Sequence, residues 1–151
     1  MTITQQAAMA EDEIYDFLAD HQTAVMSVKG SDQPYAVPIT YRFDPETETF
    51  YFRLVFPRGS KKREFLPDLP ECWLVSYVED NPLYQSVIAK GAPAEIREDD
   101  ITPEIVSQLG KTSRPLFEMW KPSRANVDIR LYRMEAEELT GRQINLDVDT
   151  E

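Results

Sequence analysis

YAVPITYRFDPETETFYFRLVF, residues Tyr35 to Phe56, reads as two strands joined by a turn. In Tyr35 to Phe43, the residues Tyr35, Val37, Ile39, Tyr41 and Phe43 share one face, and Ala36, Pro38, Thr40 and Arg42 share the other. That is the period of two of a pleated strand with a buried side and a small or polar side. Asp44, Pro45 and Glu46 suit a type I turn with proline at its favoured position, and Phe50 to Phe56 returns as a second strand, so the stretch predicts a hairpin. Pro38 cannot donate to a ladder. It marks either an ordinary edge position or a place where something other than a strand, such as a flat ligand, lies alongside.

Immediately C-terminal, the second strand empties into Arg58, Ser60, Lys61, Lys62 and Arg63, and no acid interrupts the run from Arg53 to Arg63. The chain of 151 residues has 27 acidic against 16 basic residues and a formal net charge of -11, so this concentration of positive charge stands out. Two readings fit it. One is a solvated basic turn. The other is a phosphate site, in which Lys and Arg side chains, the Ser60 hydroxyl and backbone amides at a helix start converge on an anion. A short helix over Lys61 to Leu66, starting at Ser60 and stopped by Pro67 and Pro70, would supply those amides.

Upstream of the hairpin, Ala10 to Asp20 spaces Ile14, Phe17 and Leu18 as one face of an amphipathic helix, with Glu11, Asp12 and Glu13 in its first turn. Thr23 to Val28 reads as a strand. Downstream, Glu71 to Val78 is apolar on both faces and predicts a central strand. Tyr84 to Ile96 predicts another, with Gly91 marking a bulge or a close backbone approach. Thr102 to Leu109 carries a helix pattern with Thr102 as cap and Pro103 at its first position. Lys111 to Asn126 predicts an irregular connection around Phe117 and Trp120. Val127, Ile129 and Leu131 alternate with Asp128, Arg130 and Tyr132 in a last strand. Residues 1–9 and 143–151 read as loosely ordered tails of a single domain spanning 1–151.

Composition narrows the function. The acid excess opposes nucleic acid or an anionic membrane surface as the main partner. It suits a protein kept soluble by charge, with a halophilic milieu as one setting. Cys72 is the only cysteine and His21 the only histidine, which leaves neither a disulfide framework nor a cysteine- or histidine-rich metal site. Cys72 reads as a buried small hydrophobe and His21 as a partner of the first helix's C-terminus. No basic leader and no long apolar run is present, so a cytoplasmic location is the expectation. No catalytic residue can be assigned; if there is catalysis, a cofactor carries it.

PYAVPITY (34–41), YFR (51–53), GSKK (59–62) and REFL (63–66), then a buried strand, YQSVIAKGAPAEI (84–96) and LYRMEAEELTGR (131–142), occur in an order and spacing that resemble a known family. It is that of the flavin-binding split-barrel proteins related to pyridoxamine 5'-phosphate oxidase, and the likeness runs from about Thr23 to Arg142. Within it, the chain resembles small acidic members of haloarchaeal type.

The resemblance implies a mainly β fold, a six-stranded antiparallel split β-barrel with flanking helices. It also implies FMN bound at the interface of a homodimer that acts on a small-molecule redox substrate. By position, Ser60, Lys61 and Lys62 resemble the phosphate-holding segment, and Pro38, Ile39, Thr40 and Tyr41 the strand along the flavin ring. Gln85 and Ser86 resemble an element that reaches the flavin from the partner subunit, and Tyr84 and Trp120 are further pocket walls.

Two departures stand out. Leu54 replaces a polar residue usual in the family, with Arg53 as the substitute ionic partner. The acidic ending INLDVDTE takes the place of the segment that recognises pyridoxal phosphate, so the true pyridoxamine phosphate oxidase reaction is not expected. The resemblance thus implies an FMN-dependent oxidoreductase passing electrons from a donor such as NAD(P)H to a small acceptor. The alternatives are a non-catalytic flavin carrier or sensor, a split barrel that binds deazaflavin or haem, and a ligand-free structural dimer. Haem is disfavoured by the single histidine.

Overall fold

In the computed structural model the described residues are 6–29, 34–57, 71–80, 82–104 and 127–146. They form, in order, β1 (Gln6–Ala8), α1 (Glu11–Asp20), β2 (Thr23–Lys29), β3 (Pro34–Asp44), β4 (Thr49–Pro57), β5 (Cys72–Asp80), β6 (Leu83–Gly91), β7 (Pro93–Ile96), a 3-10 turn (Glu98–Asp100), β8 (Val127–Glu135) and β9 (Glu138–Asn145). All strand pairs are antiparallel, in the spatial order β1-β9-β6-β5-β2-β3-β4-β8-β7.

The predicted hairpin is β3 and β4, in register at Tyr41–Phe52, Arg42–Tyr51, Phe43–Phe50 and Asp44–Thr49. Its turn is held by the Asp44 carboxylate, which accepts from the Glu46 amide at 3.0 Å and the Thr47 hydroxyl at 3.3 Å. Glu48 then adopts the left-handed conformation, φ 51. The Tyr15 hydroxyl of α1 donates to its carboxylate at 2.6 Å, and this bond pushes the phenol's pKa up.

The inward face of the curl is apolar, with a cluster of aromatic side chains. Ile39, Tyr41 and Phe43 meet Phe50, Phe52 and Leu54, and Met26, Val28, Cys72, Leu74, Val87, Ala89, Tyr132 and Met134 complete it. Phe43 and Phe50 have centroids 4.8 Å apart, and Phe52 stacks on Tyr132 at 5.8 Å, both within the range where ring pairs attract. One mouth is closed by α1, whose Ile14, Phe17 and Leu18 are buried as their spacing predicts. The Glu13 carboxylate accepts the Ala10 amide at its start. At its end His21 stacks on Phe17, and its Nδ1 lies 2.8 Å from the Phe17 carbonyl. A carbonyl only accepts, so the proton sits on Nδ1.

The mainly β, antiparallel class is as expected, but the six-strand count is not: the described residues hold nine strands in a curled half-barrel. Tyr84 to Ile96, read as one strand, breaks at Ala92. β6 pairs with β5 and β9, while β7 pairs with β8 at the opposite end of the order. That crossing draws the two ends of the sheet towards each other and curls it. Gly91 sits at the crossing because a Cβ there would collide with the Glu135 carbonyl oxygen and the Met134 side chain.

Of the other two additional strands, β1 comes from the segment 1–9 read as a tail, and β9 from the end of the LYRMEAEELTGR motif, running on into the segment read as the second tail. β9 runs to Asn145, and β1 pairs with it at Gln6–Ile144, Ala7–Gln143 and Ala8–Arg142. Of the predicted Thr102 to Leu109 helix only Thr102 to Glu104 are described; Pro103 and Glu104 are helical and Thr102 precedes them outside the helix. The predicted helix over Lys61 to Leu66 and the connection over Lys111 to Asn126 lie outside the described residues.

Candidate functional site

β3 changes partner along its length. Residues 34–40 pair with β2, and 41–44 pair with β4. β4 in turn pairs with β3 only over 49–52 and continues along β8 to Pro57. Among the described residues, the β4-side edge of β3 at 36–40 and the β3-side edge of β4 at 53–57 therefore have no strand partner, and the sheet is split between them.

The Tyr41 amide donates to the Gln22 carbonyl at 2.8 Å on the β2 side. Backbone groups alternate sides along a strand, so Ala36, Pro38 and Thr40 direct theirs to the split. Pro38 thus forfeits no bond to β2. At this position it offers the open edge a carbonyl without an N–H, between the N–H and carbonyl of Ala36 and those of Thr40. An edge of this kind fits a flat heterocycle that carries its own donors and acceptors.

Side chains divide around this edge. Ile39 is 1% exposed and Tyr41 is fully buried, both within the core. The Tyr41 hydroxyl donates to the Leu18 carbonyl at 3.2 Å, and burial pushes its pKa up. Ile39 and Tyr41 therefore turn their side chains to the core and their backbone groups to β2, and it is the backbone of Pro38 and Thr40 that the split presents. Pro38, Thr40 and Arg53 lie on the outer side with Arg42 and Tyr51, and Pro38 is exposed while Arg53 is half-buried. Leu54, whose apolar nature departs from the family pattern, points inward and is buried. Arg53 is its outward neighbour, the one of the two that faces the split. Ser60, Lys61, Lys62 and Trp120 lie outside the described residues.

Gln85 and Ser86 sit on β6 and face opposite ways. Gln85 donates to Gln143 at 3.3 Å, and Gln143 donates to Glu13 at 3.1 Å, so Gln85 is tied to the start of α1. The Ala10 amide and the Gln143 side chain together hold the Glu13 carboxyl below its ordinary pKa. Ser86 shares the outer face with Pro38 but lies on the third strand away from it, roughly 14 Å across the sheet at ordinary strand spacing. It lines a groove of about 340 Å³ with Tyr77, Tyr84, Arg142 and Ile144.

Sequence reading missed Tyr77 and Arg142. Both lie in stretches read for another purpose, a buried strand and a terminal motif, and only the register places them on either side of Ser86. Beside the groove the outer face is apolar: Trp73 is 46% exposed and Val25 38%, and Pro38, Val25, Val75 and Ile88 form a row across four strands.

The fold has known counterparts. A candidate pyridoxamine 5'-phosphate oxidase from Corynebacterium glutamicum superposes with a TM-score of 0.67 at 18% identity, covering 94% of this chain and 95% of its own. An FAD-binding protein from Mycobacterium smegmatis gives 0.66 at 15% identity, with 92% and 98% covered. An FAD-binding protein from Mesorhizobium loti gives 0.67 at 16%, with 91% and 96% covered. No curated protein matches the chain in sequence. Residues 10–143 match the family model described as pyridoxamine 5'-phosphate oxidase, and the chain accordingly belongs to that family.

Proposed function

We propose that this protein is an FMN-binding oxidoreductase that works as a homodimer and takes a small-molecule redox substrate. The observation that carries the reading is the split between β3 and β4, where the backbone at 36–40 lies open beside Arg53 in a chain of this family. A bound flavin would supply the electron storage between a donor such as NAD(P)H and a small acceptor. The chain's own residues hold and orient it. Within the Pro38 to Tyr41 stretch the backbone of Pro38 and Thr40 would meet the ring edge, Arg53 would give a cation at the split, and Ser60, Lys61 and Lys62 would neutralise the phosphate.

Ser86 would approach from the partner subunit, since it lies three strands from Pro38 within one chain, too far to reach the same ring from its own side; the Gln85 side chain faces the other way, tied to the start of α1. The apolar row through Pro38, Val25, Val75 and Ile88, with Trp73 beside it, is the face the two copies share, since an apolar patch of this kind favours association. The reaction of a true pyridoxamine phosphate oxidase is not part of this reading.

The test is flavin titration of the protein and of a Lys61→Ala, Lys62→Ala double variant. Removing two charge-assisted contacts predicts FMN affinity weaker by roughly tenfold or more. Equal affinity removes the phosphate assignment. Trp73→Glu, followed by sedimentation, checks the shared face: a shift towards monomer is expected, and an unchanged dimer excludes this face.

A further inference from the structure

The outer face of β5, β6 and β9 holds a groove whose shape follows from one small residue between two large ones. The register places Tyr77 opposite Ser86 and Ser86 opposite Arg142, so three adjacent strands contribute a row with a serine floor and a tyrosine and an arginine as walls. Directly opposed side chains on neighbouring strands are roughly 5 Å apart, which leaves the space above Ser86 open between the two long side chains. The next row adds Tyr84 and Ile144, which are also opposite each other, and Glu79 at the rim. The volume of about 340 Å³ lies at the lower end of the usual range for small-ligand sites.

The chemistry of the lining is specific. Tyr77 and Tyr84 offer ring faces and phenol oxygens, Ser86 a hydroxyl, and Arg142 the cation of the groove. Arg142 makes no ion pair with a described carboxylate, in a chain that carries 27 acids. A guanidinium left free beside aromatic walls matches a planar carboxylate in a bidentate fork while the rings stack on the attached aromatic group.

We propose that this groove binds an aromatic carboxylate and that this is the class of small redox substrate the flavin site takes. The second clause rests on the flavin reading, in which Ser86 approaches the cofactor; the first does not. Arg142 pairs with the carboxylate, Ser86 donates to it from the floor, and Tyr77 and Tyr84 sandwich the ring.

Anthranilate is a suitable probe because it is fluorescent and planar, and aniline is its match without the carboxylate. Titration of the full-length protein is expected to show saturable anthranilate binding at one site per chain, with aniline failing to compete. Arg142→Gln should weaken it by roughly tenfold or more, and Arg142→Lys should restore part of the loss. Ser86→Leu, which fills the floor, should abolish binding while the far-UV circular dichroism stays that of the parent. Equal binding of aniline, or an unchanged Arg142→Gln variant, overturns the proposal. Flavin content is read separately from the visible spectrum. A coloured protein indifferent to anthranilate defeats this inference alone, and a colourless protein that binds anthranilate through Arg142 defeats the flavin reading and leaves the aromatic-acid site standing.

Discussion

Cys72 and Gly91 meet the same part of the molecule from two strands, and each makes a prediction. The Cys72 thiol is buried on β5, with its sulfur 3.4 Å from the Met134 sulfur, and burial pushes its pKa up to about 12. Its folded-state pKa lies above the unfolded value, so its contribution to stability is complete below about pH 8.5 and is lost as pH rises towards 12. Denaturant unfolding of the parent and of Cys72→Ala between pH 8 and pH 11 is expected to show a steeper alkaline decline in the parent, by up to about 1.4 kcal/mol per pH unit. Parallel slopes would contradict the burial of the thiol. Gly91→Ala places a methyl against the Glu135 carbonyl, and backbone cannot move aside as a side chain end can. A loss of roughly 1–3 kcal/mol is expected from overpacking; a neutral substitution would mean the crossing from β6 to β7 is looser than drawn. Both residues were legible early, Cys72 from its apolar neighbours and Gly91 from the small residues around it, because burial and close approach leave local composition marks.

Elements were legible where one face is buried against the core. β3 announced itself by alternation, and Ile39, Tyr41 and Phe43 are indeed inside. The helix pattern of Ile14, Phe17 and Leu18 held for the same reason, and Phe17→Ala is expected to cost about 3–5 kcal/mol in chemical unfolding. β9 was not legible. Its sequence, ELTGRQIN, has a glycine and five polar or charged residues because much of it faces solvent or the groove, so propensity and pattern both argue against a strand. Pairing with β6 along its length overrides them. Gly141 carries part of that role: its amide neighbourhood receives the Met9 N–H at the Gly141 carbonyl, 2.9 Å, and leaves room for the Met9 and Ile14 side chains. Truncation after Gly141 therefore predicts a lower melting temperature and exposure of the α1 contact, measured by thermal unfolding; an unchanged midpoint would return residues 142–145 to the status of a tail.

At the scale of the whole molecule, the antiparallel class and the order of motifs were readable from Tyr35 onward, whereas the strand count and the way the sheet splits were not. A split is a property of register: it arises because β3 pairs with β4 only from Tyr41 onward and β4 leaves β3 after Phe52, and no residue in either strand marks that parting by type. The same holds for the groove, whose Tyr77, Ser86 and Arg142 are far apart in sequence and adjacent only across the ladder. Pro38 was the one advance sign of an open edge, and its exposed position there agrees with the reading of a ligand alongside, as with that of an edge proline. The most direct measurement is the visible absorption spectrum of the purified protein, with mass identification of any ligand released on denaturation. The two-banded spectrum of an oxidised flavin and a released mass equal to FMN are expected. A colourless protein that takes up no added flavin would contradict it.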